Sequence, residues 1–359
     1  MEQHIKWLTL FGKISLCYPV SNCPAFVSSK GLRKFLEKFN TPRILQLSLS
    51  LVSVAFAIDN TLSNPPERQI YSHHLSDQIY FYICYAAAVT SDTVIRLTTV
   101  YYWTAIPTTI AEIAELNAFS KTFFHSRNQK VTNRLRMVAL LIAIAFVVFG
   151  FYVGVDDMGY GGHFVEEYTY HVIPRNEMFA RSFFVLIDLM PFLSFAFAIL
   201  FIVVIGTALI ELHSAFIENF EQEILHRKQE SRARTTVAIV DKTFQKYTSI
   251  HVSINEEEFM EKFIQLQKVF TMFTKIGGNY AFGITVMATL ICIRAAGVLS
   301  GISVWKSFNE PTYREFNFLN NAVALVFLAS FGTFMTSKVM TLSVYQYVNN
   351  RFETYFYMC

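Results

Sequence analysis

The stretch "SFFVLIDLMPFLSFAFAILFIVVIGTALI", Ser182–Ile210, decides the fold. It holds one acid, Asp188, and no basic residue. About 20 consecutive apolar residues in a helix cross the hydrocarbon core of a bilayer. This run is longer than that, and it reads as a transmembrane helix. From its last turn onward, Leu209, Leu212, Phe216, Phe220 and Ile224 recur at three- and four-residue steps. That is the helical period, so the span is expected to continue outside the bilayer as an amphipathic helix.

The rest of the chain agrees. Of its 359 residues 53% are hydrophobic and only 16% charged, where a soluble domain has about 25% charged. Mean hydropathy is +0.35. Five further runs are long and apolar enough to be spans: Arg43–Ile58, Ile79–Trp103, Met137–Val155, Gly277–Val304 and Phe318–Val344. Lys and Arg between the runs number 7, 1, 5, 2, 9 and 2 in chain order. Positive charge concentrates on the cytoplasmic side, so the N-terminus is expected in the cytoplasm. That orientation is opposite to a G-protein-coupled receptor. The expected outer loops also lack cysteine, so the outer-loop disulfide usual in such receptors cannot form.

The formal net charge of +3 gives no reason to expect a nucleic-acid partner. The five cysteines show no CxxC or Cys/His spacing, and no metal or other cofactor is expected. No nucleophile elbow, Walker loop or HExxH occurs, so nothing points to an enzyme. The opening "MEQHIKWLTLFGKISLCYPVSN" is broken by Lys13 and Pro19. It reads as an interfacial or re-entrant segment rather than a signal peptide.

After the fourth run, "HRKQESRAR" is a basic hydrophilic patch, expected to be a solvated loop near the anionic inner leaflet. Asn255 and Glu258 then read as an N-cap and its partner three residues on. Phe259, Phe263, Leu266, Phe270 and Phe273 follow at steps of 4, 3, 4, 3. Such a seam suits packing on the helix's own subunit and an oligomer contact equally well. Gly277-Gly278 is expected to be a flexible entry to the fifth span.

Three stretches carry a resemblance: "LTLFGKISLCYP" near the N-terminus, "IPTTIAEIAELNAFSKTF" after the second run, and "LQKVFTMFTKIGGNYAFGITVMATLI" leading into the fifth. In these and in span spacing, from about Ile5 to Val344, the chain resembles the insect and nematode gustatory receptors, within the gustatory and odorant receptor superfamily. The resemblance implies an all-α integral membrane protein showing six clear transmembrane helices of a seven-helix receptor-type bundle. Its N-terminus would be cytoplasmic, with long cytoplasmic extensions between the fourth and fifth helices. Residues 1–42 would form a cytoplasmic N-terminal segment and 43–348 the bundle, including a cytoplasmic helical stretch at 211–275. Residues 349–359 would form a short tail.

The function implied is a small-molecule-gated chemoreceptor of the plasma membrane, a subunit of a homo- or hetero-tetrameric cation channel joined through cytoplasmic helices. The family's seventh helix lines the pore and carries Thr-Tyr, five hydrophobic residues, then Gln-Phe. Here "NNRFETYFYMC" offers Thr354-Tyr355 only, too soon after Val344 for a whole further helix. A truncated or accessory non-conducting member is therefore an alternative, beside a G-protein-coupled-type chemoreceptor and a transporter.

Ionisable groups inside spans are costly and mark bundle interiors or wet cavities. Asp92 and Arg96, four apart, can pair on one helix face. Asp188 and Arg294 have no such local partner, so a pair between helices is expected, as glue or as a pocket floor. Tyr85 and Phe192, deeper than the interfacial aromatics, are the aromatic candidates. The expected ligand-binding set is Tyr85, Asp92, Asp188, Phe192 and Arg294.

Overall fold

The computed structural model describes residues 2–18, 43–48, 50–51, 75–121, 129–160, 178–236 and 256–299, and parts of 322–333. Among the described residues every regular element is a helix. In chain order these are α1 (Glu2–Ile14), α2 (Leu75–Tyr101), α3 (Ala105–Lys121), α4 (Gln129–Tyr160), α5 (Met178–Thr236) and α6 (Glu256–Leu299). Shorter helical pieces lie at 43–51 and 322–333. Among the described residues two helices contain segments long and apolar enough to cross a membrane, Lys130–Val148 in α4 and Leu189–Glu218 in α5.

Helix α5 is the axis of the fold. Every residue from Leu193 to Leu212 is buried, because α1, α2, α3, α4 and α6 all pack on it. A helix apolar on all sides needs such a jacket, or lipid, around its whole circumference. Pro191 lies inside α5 just before the buried run. It cannot donate to the carbonyl four residues earlier, so any break in the ladder falls at the edge of the core.

Helix α6 runs antiparallel to α5, and aromatic rings mesh along the pair. Tyr280 meets Phe197 and Phe201 edge-on, at centroid distances of 6.3 and 5.7 Å. Phe273 stacks on Phe201 at 6.2 Å, and Phe270 meets His213 at 5.5 Å. Further along, Phe216 is enclosed by Phe259, Phe263 and Phe119 of α3. The 4, 3, 4, 3 seam of α6 is thus engaged within its own chain.

Glycines set the closest approaches. A Cβ at Gly12 would lie 2.7 Å from Phe197, at Gly150 2.6 Å from Phe192, and at Gly283 2.8 Å from Ile95. These bring α1 and α4 onto α5, and α6 onto α2. Helix α1 ends with Leu16 in the left-handed region, at φ 56°. The Cys17 amide donates to the Gly12 carbonyl and the Leu16 amide to Lys13, a Schellman turn with leucine where glycine is usual. Between α2 and α3 the helix breaks at residues 102–104. Pro107 cannot donate to the Trp103 carbonyl and its ring crowds that oxygen.

Two expectations are corrected. "HRKQESRAR" is helical, since α5 continues to Thr236. Gly277-Gly278 does not interrupt α6. Gly277 is buried, with the ring of Phe273, one turn earlier on the same helix, as close as 3.3 Å to the place of a Cβ, and the helix carries the intrinsic cost of glycine, about 1 kcal/mol per residue.

Candidate functional site

Two buried polar clusters interrupt the apolar core. The first gathers around Arg96 of α2. Its Nε donates to both oxygens of Asp92, at 3.0 and 2.8 Å, and both residues are buried. The two charges are four residues apart on one helix, so the pair needs no second element to form. Arg96 Nη1 reaches Gln46 Oε1 at 3.5 Å. Gln46 in turn donates through Nε2 to the Ser15 carbonyl at 2.8 Å and approaches Cys17 Sγ at 3.7 Å. The Cys17 thiol lies 3.9 Å from Ser194 Oγ of α5. One chain of polar contacts therefore runs from α2 through the 43–51 stretch and the end of α1 to α5.

One turn along α2, Thr99 Oγ1 and Tyr280 Oη of α6 are 2.9 Å apart. Ser91 donates to the Gly283 carbonyl. A side chain on residue 283 would hold that carbonyl away, which is why α6 carries glycine there.

The second cluster joins α4 to α5. Arg136 is fully buried, and its Nη2 lies 2.9 Å from Glu211 Oε2. This contact is an ion pair without hydrogen-bond direction, since Nη2 has no hydrogen-bond partner. Arg136 Nε donates to Thr207 Oγ1 at 2.8 Å and Nη1 to Asn133 Oδ1 at 3.2 Å. The Thr132 hydroxyl donates to Glu211 Oε1. Burial and the Arg136 charge both hold His4 of α1 below the usual histidine pKa, against a smaller opposing pull from Glu211. The start of α1 thus lies at the level of this cluster, and its end at the level of Ser194.

Of the expected ligand-binding residues, Asp92 is taken up by Arg96. Phe192 lies against Gly150 of α4 and packs on the core. Tyr85, Asp188 and Arg294 fall on α2, α5 and α6, with side chains outside the described residues. The Asp188–Arg294 pair lies outside them too. Gln46, Cys17, Ser194, Tyr280, Arg136 and Glu211 were not among the candidates. Most join positions far apart in the chain, as Arg136 and Glu211 do, and no local spacing announces such a pair. Gln46 had one visible sign, the mildly polar "QLSLSLVS" inside an apolar run.

Among the described residues no group of three or more His, Cys, Asp or Glu could hold a metal ion. Comparison with protein-family models, with curated proteins and with solved structures found no match to this chain.

Proposed function

We propose that this chain is a chemoreceptor subunit of the gustatory-receptor type, gated by a small molecule and assembled as a tetrameric cation channel. It would lie multi-pass in the plasma membrane, with six clear spans and a cytoplasmic N-terminus. Beyond the resemblance, the supporting observation is the continuity of α5 and α6. Helix α5 has 59 residues, about 88 Å at 1.5 Å per residue. The hydrocarbon core is about 30 Å thick, so a spanning α5 has to project well beyond it. It stays coupled to α6 there through the Phe216 cluster. Two such rods can carry a change from a pocket within the bundle to its cytoplasmic end.

In this proposal Tyr85, Asp188, Phe192 and Arg294 contact the ligand from the outer half. Asp92 contributes through its pair with Arg96. With α1 packed along the spanning part of α5, the N-terminal segment enters the bundle from the cytoplasm.

Whole-cell recording from cells expressing this chain alone, against a panel of small odorants and tastants, tests the proposal. Ligand-evoked cation current is expected. Surface expression with no current would leave the non-conducting accessory role, and uptake of a labelled solute without current would point to a transporter.

A further inference from the structure

The outward face of α4 carries a continuous stripe of exposed side chains, with Val131 and Val138 exposed beside it. Lys130, Arg134, Met137, Leu141, Ile144, Val148 and Phe151 follow at steps of 4, 3, 4, 3, 4, 3, and all are exposed. Leu141, Val148 and Phe151 are 62%, 57% and 56% exposed. The opposite face carries Arg136, Ala139, Ala143, Phe146 and Gly150 at steps of 3, 4, 3, 4, all buried. The stripe is therefore the side of α4 turned away from α5.

Its two ends differ in chemistry. Lys130 and Arg134, one turn apart, make no ion pair with a described residue. Arg136, the nearby cation on the other face, is committed to Glu211. From Met137 to Phe151 the stripe is purely apolar over about 21 Å, more than one leaflet's share of a hydrocarbon core about 30 Å thick. Cationic groups at one end and an apolar track leading from them match an anionic phospholipid, headgroup first. A second copy of this chain would not by itself call for the two cations.

We propose that α4 binds an anionic phospholipid of the cytoplasmic leaflet, its headgroup on Lys130 and Arg134 and an acyl chain along Met137–Phe151. The proposal rests on the membrane reading above. It adds that the lipid contact is specific in charge and confined to one helix.

The test uses the full chain in phosphatidylcholine nanodiscs doped with phosphatidylserine or phosphatidylcholine carrying a photoreactive acyl chain, with adducts mapped by mass spectrometry. Phosphatidylserine adducts are expected on Met137, Leu141, Ile144, Val148 and Phe151, and not on Ala139 or Ala143. Each basic group beside a phosphatidylserine headgroup contributes a factor of about five, so K130Q/R134Q is expected to lower phosphatidylserine labelling by about 25-fold. Labelling by phosphatidylcholine is expected to hold. Both side chains are exposed, so this variant keeps the fold.

Equal labelling by the two lipids in the wild type, or a change in the variant within about twofold, would overturn headgroup recognition. Absence of α4 adducts from a chain seated in nanodiscs, with I144C linking copies to each other, would give the stripe to a second copy. Failure to enter nanodiscs at all would instead remove the membrane reading.

Discussion

The Arg136–Glu211 pair offers the sharpest energetic test. Arg136 is 1% and Glu211 8% exposed, so water does little to screen either charge. Replacing Glu211 by Gln keeps the shape and the Thr132 contact but leaves a buried guanidinium without its counter-charge. Removing one partner of a buried pair costs about 3–5 kcal/mol. Replacing both, as Arg136→Met with Glu211→Leu, removes the two charges together. Such a swap is expected to lie within about 1–2 kcal/mol of the wild type, because no uncompensated charge is left behind. In the cycle made of Arg136→Met, Glu211→Leu and the double, each single change leaves one buried charge unpaired at about 3–5 kcal/mol, so the double should fall short of their sum by about 4 kcal/mol or more. Equilibrium unfolding in mixed micelles by SDS titration, on the wild type, both single variants and the double, closes the cycle. Additivity within about 0.5 kcal/mol would refute the ion pair as the link between α4 and α5.

Other perturbations follow from the same packing. Gly283→Val places a Cβ 2.8 Å from Ile95 and 3.2 Å from the Ser91 carbonyl, and is expected to cost about 1–3 kcal/mol as an overpacked contact, measurable by the same titration. Phe216→Ala empties the space between Phe119, Phe259 and Phe263, and a loss of about 3–5 kcal/mol is expected. Lys262→Ala breaks the 2.5 Å contact with Glu115, but Glu115 is exposed, so a change below about 1 kcal/mol is expected. Burial and the Arg136 charge lower the pKa of His4 in the fold. Above its unfolded pKa of about 6.5 its protonation state is the same folded and unfolded. As pH falls through 6.5 toward the lower folded value, the unfolded chain takes up the proton first. Stability is therefore expected to fall in that window, and His4→Gln to flatten the dependence.

What could be read from the chain alone was local. The run at Ser182–Ile210 and the apolar period beyond it described α5 well, because one helix carries both signals. The Asp92–Arg96 pair was visible because both charges sit on one face of one helix. The seam from Phe259 to Phe273 was visible as a seam, but its partner was not. Phe216, His213 and Phe201 of α5 fill it. Arg136 and Glu211 each looked like the polar edge of an apolar run. Only the crossing of α4 and α5 makes them a pair. Gly277-Gly278 misled because a pair of glycines, costing about 1 kcal/mol each in a helix, does not by itself end one as long as Glu256–Leu299.

Everything proposed for the chain depends on a multi-pass bundle entered from the cytoplasm, and epitope access on intact cells measures that directly. Separate tags would be placed at the N-terminus, within 237–255 and within 161–177. Antibody is expected to reach the 161–177 tag on intact cells, and the other two only after permeabilisation. An N-terminal tag labelled on intact cells, or a 161–177 tag that needs permeabilisation, would contradict it.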